Sequence, residues 1–181
     1  MMGSAAARRA DGNLRLGMAV FLGTWVMLFA ALFLAYAVVR IQAAAWPPPS
    51  LLRLPRALPG LATLILVASS LTLRARLALP RRLAMAMALG ALFVVLQASV
   101  WRTALTAGLT PGSGTYASVF FALTIFHALH VACGLVLLMV VAVRAGTGRI
   151  GPNSSALWLA TAFWDFVTVV WAVIYGAVFW L

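Results

Sequence analysis

The chain has 181 residues, of which 65% are hydrophobic and only 8% are charged, against about 25% charged in an ordinary soluble domain. All thirteen basic residues are arginine, the only acids are Asp11 and Asp165, and the net charge is +11. In a soluble protein that excess would point to nucleic acid. Here the arginines fall between long apolar runs, where they set topology and meet lipid phosphate, so no nucleic-acid partner is expected.

Residues 1–13 are expected to form a disordered tail. The apolar run that follows is too long for the h-region of a cleavable signal. Five such runs lie near residues 16–39, 58–73, 83–101, 116–143 and 156–181, and a bilayer core takes about 20 helical residues. They are too long, and alternate too poorly, for strands. The fold class is therefore an all-α integral membrane protein, one five-transmembrane-helix bundle over residues 14–181. If the N-terminus is inside, Arg8, Arg9, Arg15, Arg74, Arg76, Arg81, Arg82, Arg144 and Arg149 are inner, and only Arg40, Arg53, Arg56 and Arg102 are outer. That asymmetry favours an inside N-terminus and an outside C-terminus.

The first run ends before Trp46-Pro-Pro-Pro-Ser50, which cannot continue a helix; Trp46 reads as an interfacial anchor. The second run is short, with Pro59 expected as its first helical residue. Arg74 and Arg76 can snorkel at its other end. Arg40, Trp46, Arg74 and Arg76 are thus candidate lipid-headgroup contacts. Ser69, Ser70 and Thr72 are expected to bond to their own preceding turn and allow close packing. Gln97, expected near the outer end of the third run, has a similar reading. Further hinges are the 74–82 turn with Pro80, then 110–114 and 146–155.

The fourth run, FFALTIFHALHVACGL, holds His127 and His130, the only histidines. They lie three apart, so they share nearly one side of a helix. Imidazole is costly in hydrocarbon, so the pair needs partners or a task. A metal site needs a third or fourth ligand, for which only Asp165 and Cys133 are available. A haem held by both histidines is excluded, because one helix cannot approach both faces of the ring. Hydrogen bonds to neighbouring helices, worth roughly 1 kcal/mol each, are the simpler expectation. Cys133 reads as a small buried hydrophobe.

The fifth run contains FWDFVTVVW. Asp165, ionised and unpaired, would cost about 2.5–3.5 kcal/mol on insertion scales. It should face the bundle interior, and a hydrogen bond to His130 is the expected arrangement. The aromatic residues Phe163, Trp164, Phe166, Trp171, Tyr175 and Phe179 are expected to form a lipid or subunit face. The chain carries no catalytic triad, phosphate loop, paired carboxylates or cysteine-rich metal signature. It reads as a non-catalytic membrane subunit, with a small proton or solute transporter built on Asp165 and the histidine pair as the alternative. Clear internal repeats and broken helices, the usual marks of a transporter, are not evident.

TIFHALHVACGL resembles the TGFHGLHV-x-x-G pattern of subunit III of haem-copper terminal oxidases, with Ile125 and Ala128 where glycine is usual. TLILVASSLT is similar to that family's NTLILLxSS, with Ala62 for Asn. LFAALFLAYAVVR followed by WPPP resembles the first helix of five-helix members, Gln97 matches a helix-end glutamine, and FWDFVTVVW resembles YWHFVDVVW. The matching positions include Ser69, Ser70, Gln97, Thr124, Phe126, Gly134, Trp164 and Trp171. The resemblance spans about residues 14–181, with the motifs in order. Two departures stand out. Thr24-Trp25 occupies the place of a Ser-Glu pair, and Asp165 and Thr168 replace a His and an Asp.

The resemblance implies a subunit of a cytochrome c or quinol oxidase with no redox centre, metal or cofactor of its own. Such a subunit lies beside catalytic subunit I, with subunit II and a small subunit IV, in the cell inner (cytoplasmic) membrane. It implies haem and copper in the catalytic partner, phospholipid held in a cleft, and support of proton uptake while oxygen is reduced to water. Related five-helix proteins accompany nitric oxide reductases, which makes that accessory role the alternative.

Overall fold

The computed structural model describes residues 2–43, Trp46 and 57–180. Its helices are α1 (Met2–Gln42), α2 (Ala57–Thr72), α3 (Leu79–Thr106), α4 (Thr115–Gly146) and α5 (Ser155–Tyr175), the last followed by a π-helical turn, Gly176–Trp180. No strand occurs among the described residues. Four segments are long and apolar enough to cross a membrane: Asp11–Gln42, Leu79–Thr106, Thr115–Gly146 and Ser155–Trp180. With 16 residues, α2 is about 24 Å long at 1.5 Å per residue, short of a hydrocarbon core about 30 Å thick. The helices thus follow the five apolar runs.

Two local expectations change. Helix α1 runs back to Met2, through the stretch expected to be a disordered tail. Pro59 is the third residue of α2, not the first; its missing N–H still falls in the first turn, where that donor has no helical partner. The Pro triplet at 47–49 lies outside the described residues. The 110–114 hinge stands between α3 and α4 as expected; of the 74–82 turn, residues 79–82 already belong to α3, with Pro80 its second residue, and Ser154 caps α5 by accepting a hydrogen bond from the Leu157 N–H at 3.3 Å.

Helices α2, α3, α4 and α5 pack on one another, while α1 lies against α5 and α4. The centre of the bundle is Trp164, which is 0% exposed. Its indole lies over two glycines. A Cβ on Gly90 of α3 would come within 2.7 Å of the ring, and one on Gly134 of α4 within 2.7 Å of its other edge. Its Nε1 donates to Ser69 Oγ of α2 at 3.1 Å, and Ser69 Oγ donates onward to the Ala86 carbonyl of α3 at 2.7 Å. One side chain therefore ties four helices together. Bare backbone at two of them makes room for the ring.

The α5 aromatics are consequently not a lipid or subunit face. Phe163, Trp164, Trp171 and Phe179 are buried, and only Phe166 and Tyr175 are partly so. The expectation failed because aromatic composition alone does not say which side of a helix faces inward.

Candidate functional site: the intramembrane polar contacts

The polar groups fall into three separate contacts. The first joins α2 to α5. Asp165 lies ten residues into α5, roughly 15 Å along its axis. Helix α2 is short, so Arg74, just past its end, reaches that level. Arg74 Nη1 donates to Asp165 Oδ1 at 2.7 Å, Nη2 pairs with Oδ2, and Ser70 Oγ donates to Oδ1 at 2.5 Å. The fork-on-carboxylate arrangement is the strong form of such a pair. The hydrogen bond with Asp165 holds the Arg74 guanidinium above its ordinary pKa, with desolvation opposing it. Ser70 and Arg74 lie four apart, so both reach one side of the chain.

This corrects the expected Asp165–His130 bond. His130 lies on another side of the bundle, between α4 and α1. Its Nδ1 is 2.6 Å from the Phe126 carbonyl one turn back, its ring meets Trp25 edge-on with centroids 4.2 Å apart, and Phe29 follows at 5.2 Å. Trp25 stands where the resemblance sets a glutamate, and its aromatic ring faces His130. Arg74, expected at a lipid headgroup, directs its guanidinium to Asp165 instead. Arg76 is exposed in the same turn.

The second contact surrounds His127, which is fully buried. Its ring lies against Trp171, centroids 5.0 Å apart, and is met edge-on by Phe93 at 5.9 Å. Among the described residues neither of its nitrogens has a hydrogen-bond partner. The expectation of a bond to a neighbouring helix is therefore not met at His127. The Trp171 Nε1 donates to Thr63 Oγ1 of α2 at 2.9 Å. Neither Thr63 nor Phe93 is among the site residues expected from the sequence, although Thr63 opens the TLILVASSLT stretch.

The third contact is between α3 and α4. Trp101 Nε1 donates to Thr124 Oγ1 at 3.0 Å, and Thr124 donates back to the Phe120 carbonyl at 2.8 Å. Gln97, between Phe93 and Trp101 on the same helix, is 1% exposed, and neither of its amide atoms has a partner among the described residues. It lies within the body of α3, not near its end. Of Ser69, Ser70 and Thr72, only Thr72 bonds to its own preceding turn, through Ser69 O at 2.7 Å; Ser69 and Ser70 reach other helices. Thr168 bonds back to Trp164 O at 2.9 Å.

The remaining predicted positions are dispersed. Phe126 and Cys133 are exposed outward from α4, which corrects the buried reading of the cysteine. Gly134 is buried under Trp164. Trp46 donates from Nε1 to Tyr36 Oη at 3.2 Å and meets the Tyr36 and Tyr116 rings edge-on, with Arg40 in the last turn of α1. Among the described residues no group of three or more His, Cys, Asp or Glu side chains could hold a metal ion.

These contacts join helices and assemble no reacting constellation. The comparisons with known proteins agree in kind. The family model described as cytochrome c oxidase subunit III matches residues 2–181. A probable cytochrome c oxidase subunit 3 of Mycobacterium tuberculosis (strain ATCC 25618 / H37Rv) is 33% identical over 177 residues, covering 91% of this chain and 86% of the relative. Cytochrome c oxidase subunit 3 of Synechocystis sp. is 32% identical over 194 residues, covering 98% and 80%. That of Sus scrofa is 33% identical over 184 residues, covering 93% and 69%. With the helix order and the intramembrane contacts already described, this match along nearly the whole chain places the protein in the cytochrome c oxidase subunit III family of the haem-copper respiratory oxidases.

Proposed function

We propose that this chain is the non-catalytic subunit III of a proton-translocating oxidase in the cell inner (cytoplasmic) membrane. In this reading it stabilises catalytic subunit I, holds phospholipid, and supports proton uptake during oxygen reduction to water. Subunit II and a small subunit IV complete the assembly, the haem and copper belong to the catalytic partner, and the N-terminus is inside.

The observation that carries this reading is the contrast between the bundle and α1. Asp165, Trp164 and Trp171 are each bonded to α2 or the turn that follows it. On α1, by contrast, Val20, Met27, Leu34 and Ile41 recur every seven residues and are 61%, 75%, 67% and 84% exposed. This is the least buried of the four spanning segments, so α1 offers an open apolar face on which another membrane helix can pack. The catalytic subunit is the partner the family supplies. Helix association in lipid comes from such side-chain packing, since lipid and leucine are equally apolar.

Deleting the gene and purifying the remaining oxidase tests the functional part. Oxygen reduction should persist at first and decay faster during turnover, or couple more weakly to protons. Loss of the haem and copper centres from an otherwise assembled core would contradict the reading.

A further inference from the structure

Helix α2 runs antiparallel to α5 in a register fixed by four contacts. A Cβ on Gly60 would meet Tyr175 Oη at 2.8 Å, Thr63 accepts from Trp171, Ser69 accepts from Trp164, and Ser70 donates to Asp165. There α2 is nearly spent, since it ends at Thr72. From Asp165, α5 extends ten residues further, to Ser155, about 15 Å at 1.5 Å per residue. Trp158, with Arg15 over its ring at 5.1 Å, marks the interfacial level on α5. Asp165 lies about 10 Å deeper along the same helix. In place of further turns of α2, the non-helical segment 73–78 leads from that depth to Leu79 of α3.

Such a segment is poorly suited to hydrocarbon. The N–H groups of Arg74 and Ala75 bond back to the Leu71 and Thr72 carbonyls, at 3.1 and 3.2 Å, but those of Arg76, Leu77 and Ala78 find no acceptor among the described residues. All three residues are exposed. The Arg74 side chain is 55% exposed although it pairs with Asp165. Non-helical backbone persists at membrane depth only where protein covers it or where it lines a water-filled cavity. This chain does not cover it. A neighbouring apolar helix could not satisfy it either, because the backbone groups of a helix are already bonded to one another. Water can satisfy both the orphaned N–H groups and the guanidinium. On α5 the residues Trp158, Thr161, Ala162 and Asp165 share one face, three and four apart, and each is exposed or partly exposed. An open strip therefore runs from the interfacial level to the carboxylate.

We propose that segment 73–78 and this face of α5 line a water-filled inlet. It opens on the side of the membrane that bears the N-terminus and ends at the cluster of Arg74, Asp165 and Ser70. Trp164 and Ser69, both 0% exposed, close the bundle beside it. The ion pair is thus hydrated from one side of the membrane only. The inlet rests on the chain spanning a membrane, and not on which side is inside.

The test uses sealed native-membrane vesicles of both orientations that carry the whole oxidase complex. Cys133→Ala removes the only cysteine of this chain. Single cysteines are then added and treated with a charged, membrane-impermeant thiol reagent, with labelling read from the mass of this chain. Leu77→Cys reports the mouth of the inlet and Ala162→Cys its depth. Thr147→Cys, exposed in the turn after α4, identifies the vesicles in which the N-terminal side is accessible. Val136→Cys and Val140→Cys are the lipid-facing controls: both are exposed on α4, and they lie just past Gly134, which meets the Trp164 ring. The thiolate is the reacting form and is suppressed in apolar surroundings. Leu77→Cys and Ala162→Cys should therefore react roughly tenfold or more faster than the two controls, the factor given by one unit of thiol ionisation, and only in vesicles where Thr147→Cys reacts. If both react as slowly as the controls, the recess is dry or covered by a partner chain, and the proposal is wrong. Reaction of Leu77→Cys alone would stop the water at the mouth and equally overturn an inlet reaching Asp165. Labelling together with Thr147→Cys from the outer side would keep the inlet and overturn the proposed inside N-terminus. Should Ala162→Cys fail to assemble, Thr161→Cys on the same face reports the depth.

Discussion

Asp165 of α5 binds Arg74, the second residue beyond α2, through both carboxylate oxygens, while His130 stands apart against Trp25. The first prediction separates the two partners. A double-mutant cycle between Asp165→Ala and Arg74→Ala should show coupling on the order of 1 kcal/mol in unfolding of the detergent-solubilised chain. The cycle between Asp165→Ala and His130→Phe should be additive within about 0.5 kcal/mol. Asp165→Asn should lose less than Asp165→Ala, since an amide oxygen still accepts from Ser70 and Arg74. Coupling to His130 instead of Arg74 would reverse the assignment.

A second prediction concerns the ring at the centre of the bundle. Alanine at Gly90 or Gly134 would place a Cβ 2.7 Å from Trp164. Each substitution should destabilise by about 1–3 kcal/mol, the usual result of overpacking. Gly146→Ala meets nothing within 4 Å and should change the thermal midpoint little. Trp164→Phe should cost less than Trp164→Ala, which leaves a cavity worth about 3–5 kcal/mol. A neutral Gly90→Ala would show that α3 does not approach the indole this closely.

The environment of His127 yields a third expectation. Its ring is held by Phe93 and Trp171 and its nitrogens are unpartnered. Replacing it with Phe keeps an aromatic ring and removes the unpaired polar atoms, so stability should be unchanged or higher. Turnover-coupled proton uptake by the assembled oxidase should also be retained. Loss of proton uptake in an assembled, stable His127→Phe complex would give this imidazole a task that its surroundings do not suggest.

The α1 stripe carries a fourth prediction. Met27→Arg or Leu34→Arg should reduce recovery of the haem-containing partner, because a charge at a helix–helix contact in lipid costs about 2.5–3.5 kcal/mol at mid-depth. Tryptophan at the same positions tests packing without charge and should weaken recovery as well. Leu64→Trp, at an exposed position on α2, should leave recovery intact. Equal recovery from all of these variants would place the docking face elsewhere.

Much of the architecture was legible because hydrophobic runs of helical length leave few alternatives in a bilayer. The inward demand on Asp165 was legible too, from the cost of leaving a carboxylate in lipid. Its partner was not. Choosing between His130 and Arg74 requires the rotation of α5 and the short length of α2, and each depends on packing across the bundle. A clue did lie in the spacing of Ser70 and Arg74, four residues apart and both able to meet one carboxylate. The role of Trp164 was hidden for a similar reason. Its pocket is built from Gly90 and Gly134, 44 residues apart in sequence, and no local pattern links them. The histidine pair, by contrast, stood out by composition although its two rings serve different helix contacts.

Affinity isolation of the tagged chain from native membrane, with a visible spectrum, metal analysis and mass spectrometry of the recovered proteins, tests the central claim most directly. Membership in a haem-copper oxidase predicts recovery of a catalytic chain carrying haem and copper. Recovery of a partner with haem and non-haem iron would assign the chain to a nitric oxide reductase instead, and recovery of no haem-containing chain would contradict the accessory role altogether.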